Sequence, residues 1–247
     1  MRRTLQNFGF LTLVVTLNLM LSAAGKPSVP QFDAGNFDAP QDNLYLPMAI
    51  GDTYRYEAEE EDGLIINEIT NTSKTKKVEV DGVKIRCTVV YDVEWIEVEG
   101  KGQVILEETD DWVAWDNDGN VWYFGEATTE YLYDDEWNLI DTSDEGSWEA
   151  GVDGAEPGIL MLAEPQPGVS YRQEYYEGEA EDMGRVLKLN ARVSVEFGDF
   201  EGCLKTMEWT ELEPRTIEHK YYAPGVGLVY IEEHRGKTVE VELAAIN

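Results

Sequence analysis

Two alternating runs that meet at an Asp-Gly turn constrain this chain more than any other feature. Lys77-Val78-Glu79-Val80 leads into Asp81-Gly82, and Val83-Lys84-Ile85-Arg86-Cys87-Thr88-Val89 alternates again. A period of two turns one face of each run to a core and the other to water, and Asp-Gly supplies the positive φ angles of a tight hairpin turn. The pattern recurs. Thr53-Tyr54-Arg55-Tyr56-Glu57 alternates, and Val93-Glu94-Trp95-Ile96-Glu97-Val98 ends at Glu99-Gly100-Lys101-Gly102. Asn117-Asp118-Gly119-Asn120 separates Trp112-Val113-Ala114-Trp115 from Val121-Trp122-Tyr123-Phe124. No long amphipathic helix interrupts these runs; residues 179–190 have room for a helical turn or two. The expected fold is all-β, an antiparallel meander in which acids such as Glu57, Glu79, Glu94 and Glu97 occupy solvent faces.

An ordered series of matches points to internal duplication. Ile50-Gly51-Asp52-Thr53-Tyr54-Arg55 echoes Pro167-Gly168-Val169-Ser170-Tyr171-Arg172. The run from Val80 to Cys87 echoes Phe197 to Cys203, and each is followed by a strand carrying a Trp, Trp95 or Trp209. The turn from Trp115 to Trp122 corresponds to Ala223–Tyr230. Two similar curved sheets or half-barrels follow: a first meander over residues 44–126 and a second over 166–247. Residues 127–165 form an insertion, read as a hairpin and a Gly-rich, Trp-bearing loop.

The first 24 residues have the parts of a signal peptide: Arg2 and Arg3, the apolar run Leu11–Leu21, and Ser22 and Ala24 before Gly25. Residues 25–43, rich in Pro, Gly, Asp and Asn, read as a flexible leader. Beyond the leader peptide no second apolar run is long enough for an integral membrane segment, so the expected location is secreted or periplasmic. The 19 Lys and Arg face 50 Asp and Glu, a formal charge of −31. Such a surface repels phosphate backbones, which excludes nucleic acid as a partner. Two His and two Cys are too few for a zinc-finger array or a dense disulfide scaffold, while 43% hydrophobic residues suffice for a core.

Three segments carry a resemblance. They are Asp111 to Asp116 with Gly119 to Glu126; Gly146 to Ala155 with Pro157-Gly158-Ile159; and His219 to Gly227. Together they resemble an uncharacterised family of secreted bacterial β-rich proteins, over roughly residues 44–235. The resemblance implies an exported β-protein and no activity.

The chemistry legible in the residues is carboxylate chemistry. Asp110, Asp111, Asp116, Asp118 and Glu126 cluster about one turn, and Glu149, Asp153 and Glu156 could join them from the insertion. Calcium takes six to eight oxygens, so Asp111, Asp116, Asp118, Glu126, Glu149 and Asp153 are candidate Ca2+ ligands. The spacing is not that of an EF-hand: with Gly119 as the loop glycine, Ala114 and Gly125 fall at its first and last ligand positions. Two alternatives stand beside a cation-binding protein. One is a carrier whose curved sheet holds an apolar or amphiphilic ligand, with Ile159-Leu160-Met161-Leu162 at the cavity. The other is a glycan-active hydrolase pairing Glu126 with Glu149 or Asp153 beside Trp112, Trp115, Trp122 and Trp148. Cys87 and Cys203, at matching positions of the two copies, are candidates for a disulfide. His219 and His234 read as ordinary strand residues.

Overall fold

The computed structural model describes residues 29–247; the expected signal peptide lies outside them. The first meander runs β1 (Thr53–Glu60), β2 (Gly63–Val80), β3 (Val83–Val98), β4 (Gly102–Trp115) and β5 (Val121–Tyr133). Short strands β6 (Leu139–Ser143), β7 (Trp148–Glu149) and β8 (Glu156–Met161) follow, then β9 (Ser170–Arg172) and β10 (Glu174–Tyr175). The second meander is β11 (Asp182–Val195), β12 (Gly198–Thr210), β13 (Ile217–Ala223), β14 (Gly227–His234) and β15 (Thr238–Ile246). All ladders are antiparallel, and the order around the sheet is β10-β8-β5-β4-β3-β2-β1-β15-β14-β13-β12-β11-β9. The matched segments thus lie on β1, β3 and the β4–β5 turn, and on β9, β12 and the β13–β14 turn.

The sheet nearly closes on itself. β9 pairs with β11 at one edge and β10 pairs with β8 at the other. Gln173 joins β9 to β10 across the seam, and its N–H donates to the Asp182 carbonyl at 2.8 Å. Closure removes the unpaired edges that would template aggregation. It also demands a close approach: a Cβ on Gly158 would sit 2.1 Å from the Gln173 carbonyl oxygen.

The Asp81-Gly82 hairpin forms with Val80 opposite Val83. A register shift between Asn71 and Thr75 interrupts the ladder below it, and bulges of this kind bend strands. The hairpin tip packs on the loop after β7, where a Cβ on Gly151 would sit 2.3 Å from the Glu79 carbonyl oxygen, and Lys76 pairs with Glu149 of β7 at 2.8 Å. The insertion does not stand apart: β6, β7 and β8 all pair with β5.

Three expectations are corrected. Residues 182–195 form β11, not helical turns. Gly184 and Val186 alternate inward there, Gly184 directly under the Tyr171 ring; pairing with β9 and β12 overrides local helix preference. The described part of the leader carries no strand, yet it is packed. Phe32 and Phe37 meet Trp122 and Phe124 edge to face. Buried Asn43 donates to the carbonyls of Gly119 and Leu162. The two cysteines also stay apart: each is a free, buried thiol, and they belong to separate core clusters. Corresponding positions in the two meanders face different parts of the interior, so the expected bridge does not form.

Candidate functional site

The inward faces of the meanders line a partly open cavity of about 320 Å3, at the small end of the range for ligand pockets. Tyr54 and Tyr56 of β1, Ile69 and Asn71 of β2, and Val90 and Asp92 of β3 line one side. Asp111, Val113 and Trp115 of β4 continue it, with Lys220 and Tyr222 opposite. Leu46 and Pro47 cover one end. Trp115 Nε1 donates to the Leu46 carbonyl at 3.0 Å, and Gly225 N–H to that of Leu44 at 2.7 Å. Leu160, from the apolar run assigned to a cavity, is among the lining residues.

The polar side of the cavity is acidic. Asp111 and Glu126 are direct partners across the β4–β5 ladder, a position where like charges repel. The Tyr123 hydroxyl lies between them, 2.5 Å from Asp111 Oδ1 and 3.1 Å from Glu126 Oε2. A phenol has one proton to donate, so the second contact becomes a bond when a carboxyl group is protonated and donates in return. Burial, reinforced for Asp111 by Glu126, pushes both acids up to about 7. Asp92 accepts from Asn67 Nδ2 at 2.5 Å, yet burial and the nearby Asp111 push it up to about 8. Burial, with Asp182 and Glu126 close by, does the same for Glu174. Of these four, Asp92 and Asp111 line the cavity, and Glu126 stands behind Asp111 across the ladder.

Lys220 is the balancing cation. Its ammonium lies 2.9 Å from both Glu208 and Glu218. Burial alone would lower its pKa; the two carboxylates more than reverse that and hold it well above the usual lysine range. Lys220 in turn holds Glu218 below the usual carboxylate range. Tyr222 and Thr206 donate to Glu208 at 3.2 and 3.0 Å. The cavity therefore offers apolar walls, a Lys220 cation shared by two carboxylates, and a second set of acids with no cation among them.

These four acids, and Glu94, Asp182 and Glu233, which burial also raises, give a pH dependence. Each binds a proton in the folded chain that the unfolded chain has released between about pH 4 and 7, so stability falls as pH rises toward the folded values. The loss amounts to about 1.4 kcal/mol per pH unit for each proton so held. Glu60, Glu108, Glu218 and Glu232, held low, are ionised in both states above about pH 5 and do not contribute to this slope. His219, pushed down mainly by burial, opposes it weakly near its unfolded value. Urea midpoints are expected to drop from pH 5 to pH 8 and then level. A midpoint that rises over this interval contradicts the assignment.

The other candidate ligands lie elsewhere. Buried Asp116 accepts four N–H bonds: from the backbones of Asp118 and Asn120, from Asn120 Nδ2 and from Trp122 Nε1, at 2.8–2.9 Å. Its oxygens are used up by its own turn. Asp118 accepts from Asn36 on the surface, Glu149 pairs with Lys76, and Asp153 occupies an exposed turn at a φ of 48°. Of the six, only Asp111 and Glu126 share a partner. Trp112, Trp122 and Trp148 are buried, and Lys76 covers the Trp112 ring, so none offers an open sugar-stacking face. Glu94, expected in solvent, lines a second cavity of about 500 Å3 with Glu233, Arg235 and Lys237. There Glu60 and Glu233 already satisfy the basic groups.

One constellation escaped the sequence reading. His219 of β13 faces Glu232 of β14 across the ladder, and His234 lies two residues along. Their donor atoms all lie within 4.8 Å of one another. The signal was available in hairpin arithmetic: counting outward from the turn at Pro224–Val226, Glu232 falls opposite His219 and His234 lies two residues beyond.

No protein-family model matches the sequence, and no curated protein matches it. Among solved structures, the chain is similar to a candidate exported protein with a YmcC-like fold from Bacteroides fragilis, at 13% identity and a TM-score of 0.43. That match covers 83% of this chain and 99% of that one. It is also similar to a candidate lipoprotein from Parabacteroides distasonis, at 11% identity and a TM-score of 0.43, over 84% of this chain and 100% of that one.

Proposed function

We propose that this protein is a secreted or periplasmic binding protein whose barrel holds a small amphiphile with a basic group. The observation that carries the proposal is the polarity gradient of the cavity. Trp115 stands beside Leu46 and Pro47 at one end. Asp111 lies four residues back along β4, roughly 13 Å away at ~3.3 Å per residue. An apolar tail fits the first end. An ammonium group fits the second, where Asp92 and Asp111 line the cavity with no cation in contact, Glu126 lying across the ladder from Asp111, and would ionise on meeting one.

The calcium reading rests on the Asp111–Glu126 pair, which alone falls short of the six to eight oxygens that Ca2+ requires. Isothermal titration separates the readings. Octylamine is expected to bind one per chain, with octanoate at least about tenfold weaker because its charge meets the same acids. Asp111→Asn should weaken the amine by a similar factor. Equal affinity for both amphiphiles contradicts the proposal. Saturable calcium binding without amine binding favours the cation reading.

A further inference from the structure

We propose that His219, Glu232 and His234 form a binding site for a zinc-type divalent metal ion on the β13–β14 hairpin. The site is separate from the cavity. Along β13, Lys220 and Tyr222 line the cavity, so His219 and Tyr221 point to the other face of the sheet.

The geometry fits a tetrahedral ion. His234 Nε2 and His219 Nδ1 are 3.3 Å apart. Two ligands held at about 2.0–2.1 Å from a tetrahedral zinc lie about 3.3 Å from each other. The Glu232 carboxylate is 3.7 Å from His219 Nδ1, within reach of the same ion after a small side-chain adjustment. Two imidazole nitrogens and a carboxylate oxygen that converge in this way need a proton or a cation between them.

The surrounding contacts orient the ligands. His234 Nδ1 lies 3.0 Å from Thr238 Oγ1, which leaves Nε2 directed at the site. Lys205 and Tyr221 hold Glu232 at 2.9 and 2.8 Å. Such outer partners fix the tautomer and direction of metal ligands. Lys205 shares the carboxylate, and its charge keeps the affinity below that of a closed four-ligand site. Histidine nitrogens suit zinc, copper or nickel and not calcium or magnesium. Three protein ligands also leave a coordination position for water or a fourth donor. Both histidines of the entire sequence sit in this one constellation.

That last fact makes the test clean. In the untagged chain, the imidazole Cε1–H region of an NMR spectrum contains two resonances. Titration with Zn2+ at neutral pH is expected to shift or broaden both to completion at one equivalent. An excess of Ca2+ should leave them in place. His234→Gln should reduce zinc affinity by about 100-fold, at least the loss that follows removal of an outer partner, with an unchanged circular dichroism spectrum. Unmoved resonances at several equivalents of Zn2+ would overturn the proposal. So would stoichiometric zinc binding that survives His234→Gln and disappears in Asp111→Asn. Should His234→Gln fail to fold, the resonance shifts of the unaltered chain decide the matter alone.

Discussion

Lys220→Met is expected to destabilise the protein by about 3 kcal/mol at neutral pH. The ammonium is the only cation in contact with Glu208 and Glu218 among the described residues, and Glu208 is 8% exposed. Removing it leaves a carboxylate in the wall of the cavity with only hydroxyl donors, Thr206 and Tyr222. Methionine keeps much of the lysine stem, so the loss reports the charge and not a void. Two further results belong to the same expectation. Adding Glu208→Gln and Glu218→Gln to Lys220→Met should restore most of the loss, because a neutral cluster needs no counterion. The penalty should also shrink as pH falls through the carboxylate range, where Glu218, no longer held ionised by Lys220, takes up a proton. Urea denaturation of the variants measures both. A loss below about 1 kcal/mol at pH 7, the value of an exposed pair, would mean that the cluster is solvated and the cavity is not a low-dielectric space.

Gly158→Ala is expected to be at least as damaging, about 3 kcal/mol or more, through a different cause. The added methyl would meet backbone atoms of Gln173 and Glu174 at 2.1–2.7 Å. Backbone cannot rotate away as a side chain can, so β8 and β10 must part and the seam of the barrel opens. Gly154→Ala is the control. Gly154 has a φ of 92° and no atom within 4 Å of an added Cβ, so only backbone strain of about 1 kcal/mol is expected. Hydrogen exchange should locate the damage. In Gly158→Ala, amides of β8–β10 are expected to lose protection before those of β2–β3. Equal losses for the two glycine variants would contradict closure at this seam.

The strands were largely legible because alternation and turn chemistry are local. Val80 pairs with Val83 around Asp81-Gly82, as a two-residue turn requires. The β4–β5 turn at Asn117-Asp118-Gly119-Asn120 is likewise where its residues place it. The leader was not legible. Phe32 and Phe37 stand among Pro, Gly and Asp with no period, and only the completed barrel gives them Trp122 and Phe124 to pack on. Residues 179–190, expected to hold a helical turn or two, failed for a related reason: from Asp182 on they belong to β11, whose strand pairing comes from distant chain.

The acids failed more instructively. A period of two shows that two sets of side chains face opposite ways, but it does not say which set faces inward. An acid flanked by apolar residues of the same parity carries the missing information. Asp92 shares parity with Val90, and Asp111 with Val113 and Trp115. Both carboxylates line the cavity. Acids read from clustering along the chain were instead drawn to Asp116, whose oxygens its own turn consumes.

The claim at the centre of this account is that the barrel interior is the binding site. Crystals grown with octylamine brominated at its tail test it most directly, because the anomalous signal of bromine locates one atom without reference to the rest of the ligand. The expected result is a single bromine peak inside the barrel, beside Leu46, Trp115 and Leu228, with the amine directed at Asp111. A peak on the outer surface, or bromine at the Asp111 end of the cavity, would contradict the account.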